Sequence, residues 1–322
     1  MFLTIDSVCK DYQGQRILEN VSFGVAQGEL VSIIGPSGAG KTTLLKLIAG
    51  LERPDSGSIR SQADLLHNPA ILVFQDYVLF PTMTVFDNVA FGLKTRKMVR
   101  IVIKEKVMAM LDYFGLADKD RQYPNQLSAG QQQRVALARA MVVNPSVLLL
   151  DEPFANLDKN LKSSTAEFIR AFQKEYTITI ISVTHDLQEA FMMSDRIGIL
   201  LDGVLCQYDD VQKVYNEPAS ARVAAFLGHV NTIPRRYFPF FAIPEQATEN
   251  GYDISVRAEA LVLEKDGNGS GFIEDILFAG QYDICRIRID DLSVTAYTFN
   301  RIFVVNDRVT VRVKQYIQLK GD

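Results

Sequence analysis

Residues 35–42 have the types and the spacing that bind phosphate groups. They read Gly-Pro-Ser-Gly-Ala-Gly-Lys-Thr and match the pattern G-x-x-x-x-G-K-[ST]. Glycines in such a loop let backbone N–H groups turn towards an anion, Lys41 can reach the β and γ phosphates of a nucleotide, and the Thr42 hydroxyl can bind Mg²⁺. The residues that we predict to contact the nucleotide are Gly35, Pro36, Ser37, Gly38, Ala39, Gly40, Lys41, Thr42 and Thr43.

The segments on either side of this loop are the elements that such chemistry requires. Residues 30–34, Leu-Val-Ser-Ile-Ile, are largely β-branched and apolar and predict a short buried strand. Residues 43–49 predict a helix that ends at Gly50. The N-terminus of that helix adds positive potential where phosphates would bind. Strand, glycine loop and helix together favour phosphate binding over an ordinary glycine turn.

A second apolar strand, residues 146–150, is followed by the two carboxylates Asp151 and Glu152. Open α/β sheets bind their ligands at the carboxyl ends of their strands. We therefore predict that Asp151 binds Mg²⁺, directly or through water, together with Thr42. Glu152 is placed to polarise a water that attacks the γ-phosphate, which makes it the predicted catalytic base.

Composition and charge limit the class of protein. The chain has 322 residues, 48% of them hydrophobic and 22% charged, as in a globular protein of two or three domains. A formal net charge of −4 argues against a nucleic-acid binder that uses a basic face. We see neither the pattern of a signal peptide nor an apolar run long enough to cross a bilayer. Cys9, Cys206 and Cys285 show no metal or disulfide spacing, so we expect a reducing cytoplasm.

Residues 127–134, Leu-Ser-Ala-Gly-Gln-Gln-Gln-Arg, resemble the Leu-Ser-Gly-Gly-Gln signature of ATP-binding cassette (ABC) ATPases. Ser128 is a good N-cap for the helix that follows, whose free N–H groups can meet an anion. Ala129 stands where the family usually has glycine, which requires a negative φ at this position. The family binds ATP between the signature of one chain and the phosphate loop of another. The resemblance assigns that signature role to Ser128, Ala129, Gly130 and Gln131.

Other elements of the same family follow in order along the chain. Tyr12 lies where the family stacks an aromatic ring on adenine. Gln75 matches the glutamine that senses Mg²⁺ and the attacking water, and His185 matches the switch histidine that contacts the γ-phosphate. Residues 156–158 resemble the loop that crosses the dimer interface. The resemblance thus implies catalytic roles for Glu152, His185 and Gln75 and metal binding by Thr42, Gln75 and Asp151.

Residues 75–89 look like the glutamine-loop region of bacterial importer ATPases that handle ferric iron, polyamines or maltose-type sugars. The resemblance implies a helical subdomain over residues 84–140, with the basic stretch 94–106 on one helix. A cluster of charges like this is more typical of a helix face exposed to solvent than of a contact with a permease or a lipid headgroup. We expect Phe80 and Met83 to be exposed beside Gln75 and to receive a helix of a membrane subunit.

The sequence changes character after residue 235, where prolines punctuate a linker. Short alternating runs such as 284–289 and 309–313 follow and predict a small β-barrel. Residues 256–259, Val-Arg-Ala-Glu, resemble the Val-Arg-Pro-Glu motif of the oligonucleotide-binding-like domain appended to importer ATPases. The predicted fold is an α/β P-loop ATPase cassette with a helical subdomain (residues 1–235), plus a C-terminal all-β oligonucleotide-binding-like small barrel with a regulatory role (residues 236–322).

The resemblance implies the ATP-hydrolysing subunit of a bacterial importer, with ATP and Mg²⁺ as cofactors. Its implied partners are a second copy of itself in a head-to-tail dimer, integral membrane permease subunits and, indirectly, a periplasmic or surface solute-binding protein, but no nucleic acid. It also implies a peripheral position on the cytoplasmic face of the inner membrane, with ferric iron or a polyamine as solute. Two alternatives remain open: a soluble cassette ATPase associated with ribosomes or DNA, and a regulatory module that does not hydrolyse ATP.

Overall fold

Residues 1–63, 68–155, 157, 159–244 and 253–317 are described by the structure, a computed structural model of the chain. By its internal contacts the chain divides into two units, residues 1–211 and 212–322. The elements of the first unit are β1 (Leu3–Tyr12), β2 (Gln15–Val25), β3 (Leu30–Ile34), α1 (Lys41–Ile48), β4 (Ser56–Ser61), β5 (Ala70–Val73), α2 (Val85–Thr95), α3 (Arg100–Tyr113), α4 (Ala129–Met141), β6 (Val147–Asp151), α5 (Lys159–Tyr176), β7 (Thr179–Thr184), α6 (Leu187–Met193), β8 (Arg196–Leu201) and β9 (Val204–Asp210). The second unit follows from the boundary onward with α7 (Val211–Asn216), α8 (Ala221–Leu227), β10 (Val230–Ile233), β11 (Ile254–Arg257), β12 (Leu261–Lys265), β13 (Gly271–Phe278), β14 (Asp283–Ile289), β15 (Leu292–Thr298) and β16 (Arg308–Val313). None of the helices in the described ranges is long and apolar enough to cross a bilayer.

A six-stranded sheet in the order β5-β6-β7-β3-β8-β9 is the frame of the first unit. The neighbouring pairs from β5 to β8 are parallel, and the edge strand β9 runs antiparallel to β8. The predicted strands at residues 30–34 and 146–150 are confirmed as β3 and β6, and every residue of both is buried. Because parallel strands end at the same edge, the phosphate loop, Asp151 and His185 all lie at the carboxyl edge of this sheet.

Successive residues of the central strands fill two hydrophobic cores, one on each face of the sheet. In β6, Leu148 and Leu150 join the core that includes side chains of α2, α3, α4 and α5. Leu149 joins the opposite core, which includes side chains of α1 and of the antiparallel sheet β2-β1-β4. Packing on both faces fixes the end of β6, and with it the positions of Asp151, its last residue, and of Glu152, which follows.

The helical subdomain contains a break that the sequence did not predict. The basic stretch 94–106 does not lie on one helix, because residues 96–99 separate α2 from α3. Lys97 adopts the left-handed conformation with φ 54°. The N–H groups of Lys97 and Met98 donate to carbonyl oxygens in the last turn of α2, which is the Schellman arrangement that ends helices. Glycine usually occupies this position, so a lysine there gives no signal in the sequence.

The second unit contains a five-stranded antiparallel sheet in the order β12-β16-β13-β14-β15. Its edge strands β12 and β15 approach each other, so the sheet curls in the manner of a small barrel. Cys285, Ile287 and Ile289 of β14 point into its core and alternate with exposed residues. The alternation predicted at residues 284–289 is therefore that of a strand with one buried face.

The division between the two units lies earlier in the chain than residue 235, where the sequence placed it. Residues 212–235 belong by their contacts to the second unit. Arg257 of β11 explains this grouping, because its guanidinium donates to the carbonyl oxygens of Tyr215 at 2.9 Å and of Ala224 at 3.4 Å. These hydrogen bonds tie α7 and α8, which precede the proline-rich segment, to β11, which follows it.

Candidate functional site

The phosphate loop connects β3 to α1, and its shape depends on glycine at two positions. Gly40 precedes α1 with φ 96°, and a Cβ at this position would lie 2.8 Å from the carbonyl oxygen of Ile17. A Cβ on Gly35 would lie 2.1 Å from the carbonyl oxygen of Leu200. No side chain caps the start of α1. The N–H groups of its first turn are therefore donors for an anion held by the loop.

Lys41 places a buried ammonium inside this loop. Its Nζ donates to the carbonyl oxygens of Gly35 at 2.8 Å and of Pro36 at 3.0 Å. The same atom lies 3.9 Å from Oε1 of Glu152. Burial lowers the pKa of Lys41, and the carboxylates of Glu152 and Asp151 oppose that shift. A desolvated cation at this position can interact strongly with phosphate oxygens.

Asp151 and Thr42 form a pair of oxygen ligands next to the loop. The Thr42 hydroxyl donates to Oδ1 of Asp151 at 3.1 Å. Asp151 is buried, with 6% of its surface exposed. Burial raises the pKa of this carboxyl, and the hydrogen bond from Thr42 opposes the shift. One carboxylate and one hydroxyl suit Mg²⁺, a hard cation that takes few protein ligands and keeps waters and phosphate oxygens for the rest.

We expect Asp151→Asn to stabilise the nucleotide-free chain at neutral pH. Because burial raises the pKa of Asp151 above its unfolded-state value, ionisation costs more in the folded state. The cost is complete above the folded-state pKa and disappears as the pH falls below the unfolded-state pKa. At neutral pH the free energy of unfolding should therefore rise by on the order of 1 kcal/mol. Urea unfolding at several pH values measures this difference, which should vanish in acid.

Asp87→Asn is the matched control for this experiment, with the opposite expected sign. Lys94 donates to Oδ1 of Asp87 at 2.6 Å and lowers the pKa of that carboxyl. The ionised form of Asp87 is therefore favoured by folding, and its removal should lower the free energy of unfolding at neutral pH. Destabilisation by both substitutions at neutral pH would contradict the burial cost assigned to Asp151.

Glu152 and His185 are in direct contact at the carboxyl edge of the sheet. Oε2 of Glu152 and Nδ1 of His185 share a hydrogen bond of 2.8 Å. Glu152 has φ 48°, a left-handed conformation that costs about 1–3 kcal/mol in a residue other than glycine. Its N–H donates to the carbonyl oxygen of Val183, which extends the pairing of β6 with β7. The turn aims a half-buried carboxylate at the histidine, in a geometry that can orient a water molecule.

Gln75 and Tyr12 occupy the margins of the site. Gln75 follows β5, which pairs in parallel with β6, so it leaves the sheet at the same edge as Asp151. Tyr12 ends β1, and its ring is exposed by 39%. The Tyr12 hydroxyl donates to Glu52, and this hydrogen bond raises the pKa of Tyr12. A hydrogen bond with the Thr43 side chain, at the start of α1, opposes that shift. An exposed aromatic ring beside the phosphate loop can stack on a nucleobase.

The signature segment forms the N-terminus of α4. The Ser128 hydroxyl accepts from the N–H of Gln131 at 3.4 Å, and the Gln131 side chain accepts from the N–H of Ser128 at 3.0 Å, which completes a capping box. Ala129 is helical with negative φ, as its substitution for glycine requires. A Cβ on Gly130 would meet no heavy atom within 4 Å. The start of α4 therefore presents an open, uncrowded backbone.

The structure brings one set of predicted residues together and leaves the signature apart from it. The residues that are joined by hydrogen bonds or close ion pairs are Lys41, Thr42, Asp151, Glu152 and His185. Within the described residues, the side chains of residues 128–131 make no hydrogen bond or ion pair with that set. Asn156 and Asp158 of the predicted interface loop lie outside the described residues.

Gln133 links α4 to the turn after β6, a contact that the sequence did not predict. It is buried, with 2% of its surface exposed, and its Nε2 donates to the carbonyl oxygen of Pro153 at 2.8 Å. Its Oε1 has no hydrogen-bond partner among the described residues. A polar residue on the apolar face of α4, in line with Ala136 and Ala140, was the available signal.

A buried network holds the segment that carries His185. The Thr184 hydroxyl donates to Oε2 of Glu189 at 2.6 Å, and Lys162 donates to Oε1 of Glu189 at 2.8 Å. Lys162 also donates to Asp186, which caps the start of α6. Burial raises the pKa of Glu189, and the hydrogen bonds from Lys162 and Thr184 oppose the shift. Residues on both sides of His185 are therefore fixed, while the imidazole itself is exposed.

An apolar groove of about 430 Å³ lies between β5, α2 and α4. Phe74, Val78 and Phe91 line it and are exposed by 37%, 55% and 39%. The prediction that Phe80 and Met83 are exposed here is wrong, because both are half-buried. The ring centroids of Phe80 and Phe91 are 4.7 Å apart, and this packing removes part of the Phe80 ring from solvent. Apolar surface is exposed next to Gln75, but Phe74, Val78 and Phe91 form it instead of Phe80 and Met83.

Comparisons with known proteins agree with this geometry. Residues 18–155 match the family described as ABC transporter. The Fe(3+) ions import ATP-binding protein FbpC of Photobacterium profundum is 38% identical over 302 residues, 87% of this chain and 85% of the relative. The spermidine/putrescine import ATP-binding protein PotA of Mycoplasma capricolum is 40% identical over 286 residues, 83% of this chain and 82% of the relative. A bacterial ABC transporter cassette solved as a dimer is 31% identical with a TM-score of 0.58, covering 65% of this chain and 98% of its own. The chain belongs to the family of ABC transporter ATP-binding proteins.

Proposed function

We propose that this chain is the ATP-hydrolysing subunit of a bacterial ABC importer. The observation that carries the proposal is the hydrogen bond between Glu152 and His185, placed beside Lys41 and the Thr42–Asp151 pair. A phosphate-binding lysine, a pair of metal ligands and a carboxylate that can act as a base are the groups that transfer of a phosphoryl group to water requires. The relatives named above as import ATP-binding proteins support the same conclusion.

Each residue of this set has a separate task in the proposed reaction. Lys41 and the N–H groups of the phosphate loop hold the β and γ phosphates. Thr42 and Asp151 would hold Mg²⁺, which supplies charge neutralisation for those phosphates. Glu152 accepts a hydrogen bond from the attacking water. This bond directs a lone pair of the water oxygen at the γ-phosphate. His185 fixes the Glu152 carboxylate through their hydrogen bond. When that hydrogen bond breaks, the imidazole can donate to the γ-phosphate instead.

The remaining residues complete the nucleotide site from its margins. Tyr12 would stack on the adenine ring, and Gln75 would contact Mg²⁺ and the attacking water from the end of β5. Residues 128–131 would bind the γ-phosphate of ATP held by a second copy of the chain, in a head-to-tail dimer. In the described residues, the side chains of residues 128–131 make no hydrogen bond or ion pair with the phosphate-loop set, and the backbone at Gly130 is open. Both observations support an action on a neighbouring chain.

The apolar groove beside Gln75 is the proposed contact with the permease. Phe74, Val78 and Phe91 would receive an amphipathic helix of an integral membrane subunit, since exposed apolar side chains grouped beside a switch residue favour a helical partner. Gln75 follows the same strand, β5, that borders the groove. A change at the γ-phosphate could therefore reach the permease through a few residues.

The names of the relatives support a proposal for the solute. FbpC is named for ferric ions and PotA for spermidine and putrescine. We propose one of these two solute classes, delivered to the permease by a periplasmic or surface solute-binding protein. The chain would then lie on the cytoplasmic face of the membrane, held there by the permease. The C-terminal unit, which supplies no residue of the proposed site, would regulate transport or support the dimer.

We expect Phe91→Asp to uncouple the chain from its permease. A carboxylate in the groove would have to be desolvated when an apolar helix docks, which should weaken co-purification with the permease and solute uptake by at least about tenfold. Ile101→Asp is the matched control, because Ile101 is more exposed, at 70%, and does not line the groove. Nucleotide binding by both purified variants checks that they are folded. Solute uptake at the parental rate with Phe91→Asp would show that the groove is not the contact with the permease.

A further inference from the structure

A cavity of about 740 Å³ lies in the helical subdomain, apart from every residue assigned to the nucleotide site. It falls within the range of roughly 300–1,000 Å³ that small-molecule sites occupy. Phe86 of α2, Met98 between the helices, and Ile103 and Met108 of α3 form its apolar wall. The two methionines are half-buried, so their flexible thioethers can adapt to an apolar guest.

Cationic side chains surround this apolar wall. Arg100, Lys104 and Arg121 line the cavity, and their side chains make no ion pair or hydrogen bond with the described residues. Lys94 also lines it but is neutralised by its ion pair with Asp87 at 2.6 Å. The carboxylate in the lining is Asp120, so an excess of positive charge remains. This excess is notable in a chain whose formal net charge is −4.

The helix that carries most of this lining adds to the same field. Arg100 and Lys104 are four residues apart on α3, so they lie on one face of the helix. Arg100 stands in the first turn, where the helix dipole is positive, and neither a side-chain cap nor an acidic residue offsets it. Two like charges and the positive helix end are mutually unfavourable, and a bound anion would relieve all three interactions at once.

We propose that this cavity binds an amphiphilic organic phosphate. The phosphate group would lie between Arg100, Lys104 and Arg121, and the apolar part would contact Met98 and Met108. Phosphate is favoured over carboxylate because exposed guanidinium and ammonium groups from two segments line the same cavity, and a phosphate offers them more oxygens to engage. Asp120 would select molecules that also carry a hydroxyl or amino group. Anionic phospholipids and soluble organic phosphates both have this chemistry.

Methionine methyl signals of the full-length chain provide the test. The chain is labelled with [methyl-¹³C]methionine and saturated with Mg-ADP, so that the phosphate loop is filled, and is then titrated with hexyl phosphate. Met98→Leu and Met108→Leu assign the two signals. Both signals should shift with one common saturation curve, and inorganic phosphate or hexanol alone should bind at least about tenfold more weakly, since each lacks half of the contacts.

Two double variants test the origin of the binding. Arg100→Glu with Lys104→Glu should weaken hexyl phosphate binding by at least about tenfold. Lys97→Glu with Lys106→Glu makes the same change of charge on the same stretch but outside the cavity, and should stay within about twofold of the parent. Arg100→Gln with Lys104→Gln repeats the first test if charge reversal disturbs the fold. Equal losses in the two charge-reversal variants, or unmoved Met98 and Met108 signals, would overturn the proposal.

Flotation with vesicles distinguishes the two sources of the phosphate. Vesicles of phosphatidylglycerol and of phosphatidylcholine are compared for the parent chain and for Arg100→Glu with Lys104→Glu. Loss of phosphatidylglycerol binding in the variant alone would identify a membrane phospholipid as the ligand. Unchanged flotation together with lost hexyl phosphate binding would identify a soluble organic phosphate. Failure of both probes to bind the parent chain would refute the site.

Discussion

Glu152→Gln is expected to abolish ATP hydrolysis while ATP binding persists. The amide keeps the shape of the carboxylate but cannot take a proton from the attacking water, so turnover should fall by at least about 100-fold. Lys41, Thr42 and Asp151 are unchanged, and ATP affinity should stay within a few-fold of the parent. ATP should therefore trap the variant as a closed dimer. Steady-state ATPase rates, equilibrium nucleotide binding and sedimentation of the same preparation measure the three quantities together.

A second glutamate provides the control for this experiment. Glu167 is exposed on α5, so Glu167→Gln makes the same chemical change away from the site and should leave turnover and sedimentation unaltered. His185→Ala should also lose most turnover, because it removes the partner that holds the Glu152 carboxylate at 2.8 Å. Turnover of Glu152→Gln at the parental rate would exclude Glu152 as the base and would leave His185 to be tested in that role.

The parts of the site that sequence predicts well are those encoded by contiguous residues. Gly40, Lys41 and Thr42 are adjacent in the chain, and their local context of strand and helix fixes their geometry. Asp151 and His185 are distant in sequence, yet Asp151 ends one buried strand, β6, and His185 follows another, β7. Because strands of a parallel sheet end at one edge, their proximity to the loop follows from strand order alone. The structure adds the contacts themselves, such as the Glu152–His185 hydrogen bond.

Most of the features that sequence did not predict depend on contacts between separate segments. The role of Gln133 appears only when α4 packs against the turn after β6. The break at Lys97 uses a residue type that rarely adopts its conformation. Phe80 is half-buried because Phe91 covers it, and residues 212–235 join the second unit because Arg257 bonds to them. Except at Lys97, whose hydrogen bonds are local, the decisive partner lies outside the local sequence pattern.

Lys41→Ala and Ser128→Arg are expected to fail at different steps. Lys41→Ala deletes a buried cation from the phosphate loop, and because such charged contacts stabilise by about 1.5–3 kcal/mol, ATP affinity should fall at least about tenfold. Ser128→Arg leaves the chain's own loop intact, so ATP should still bind to the monomer. Hydrolysis should nevertheless be blocked, because the arginine would occupy the space of the γ-phosphate bound by the partner chain. Equilibrium binding and ATPase rates separate these outcomes.

Mixing the two variants tests whether the signature acts on a second chain. In a head-to-tail dimer of one Lys41→Ala chain and one Ser128→Arg chain, both defects fall in the same nucleotide site, and the other site is intact. Random pairing makes about half of the dimers mixed, so the mixture should occlude ATP where neither variant does alone. Lys41→Ala mixed with Thr42→Ala is the control, because both residues belong to the same chain's loop. Each of the two sites then keeps one defect, and neither variant should occlude ATP alone. If the mixture of Lys41→Ala and Ser128→Arg occludes no more ATP than either variant alone, the signature acts in its own chain's site and the shared dimer is refuted.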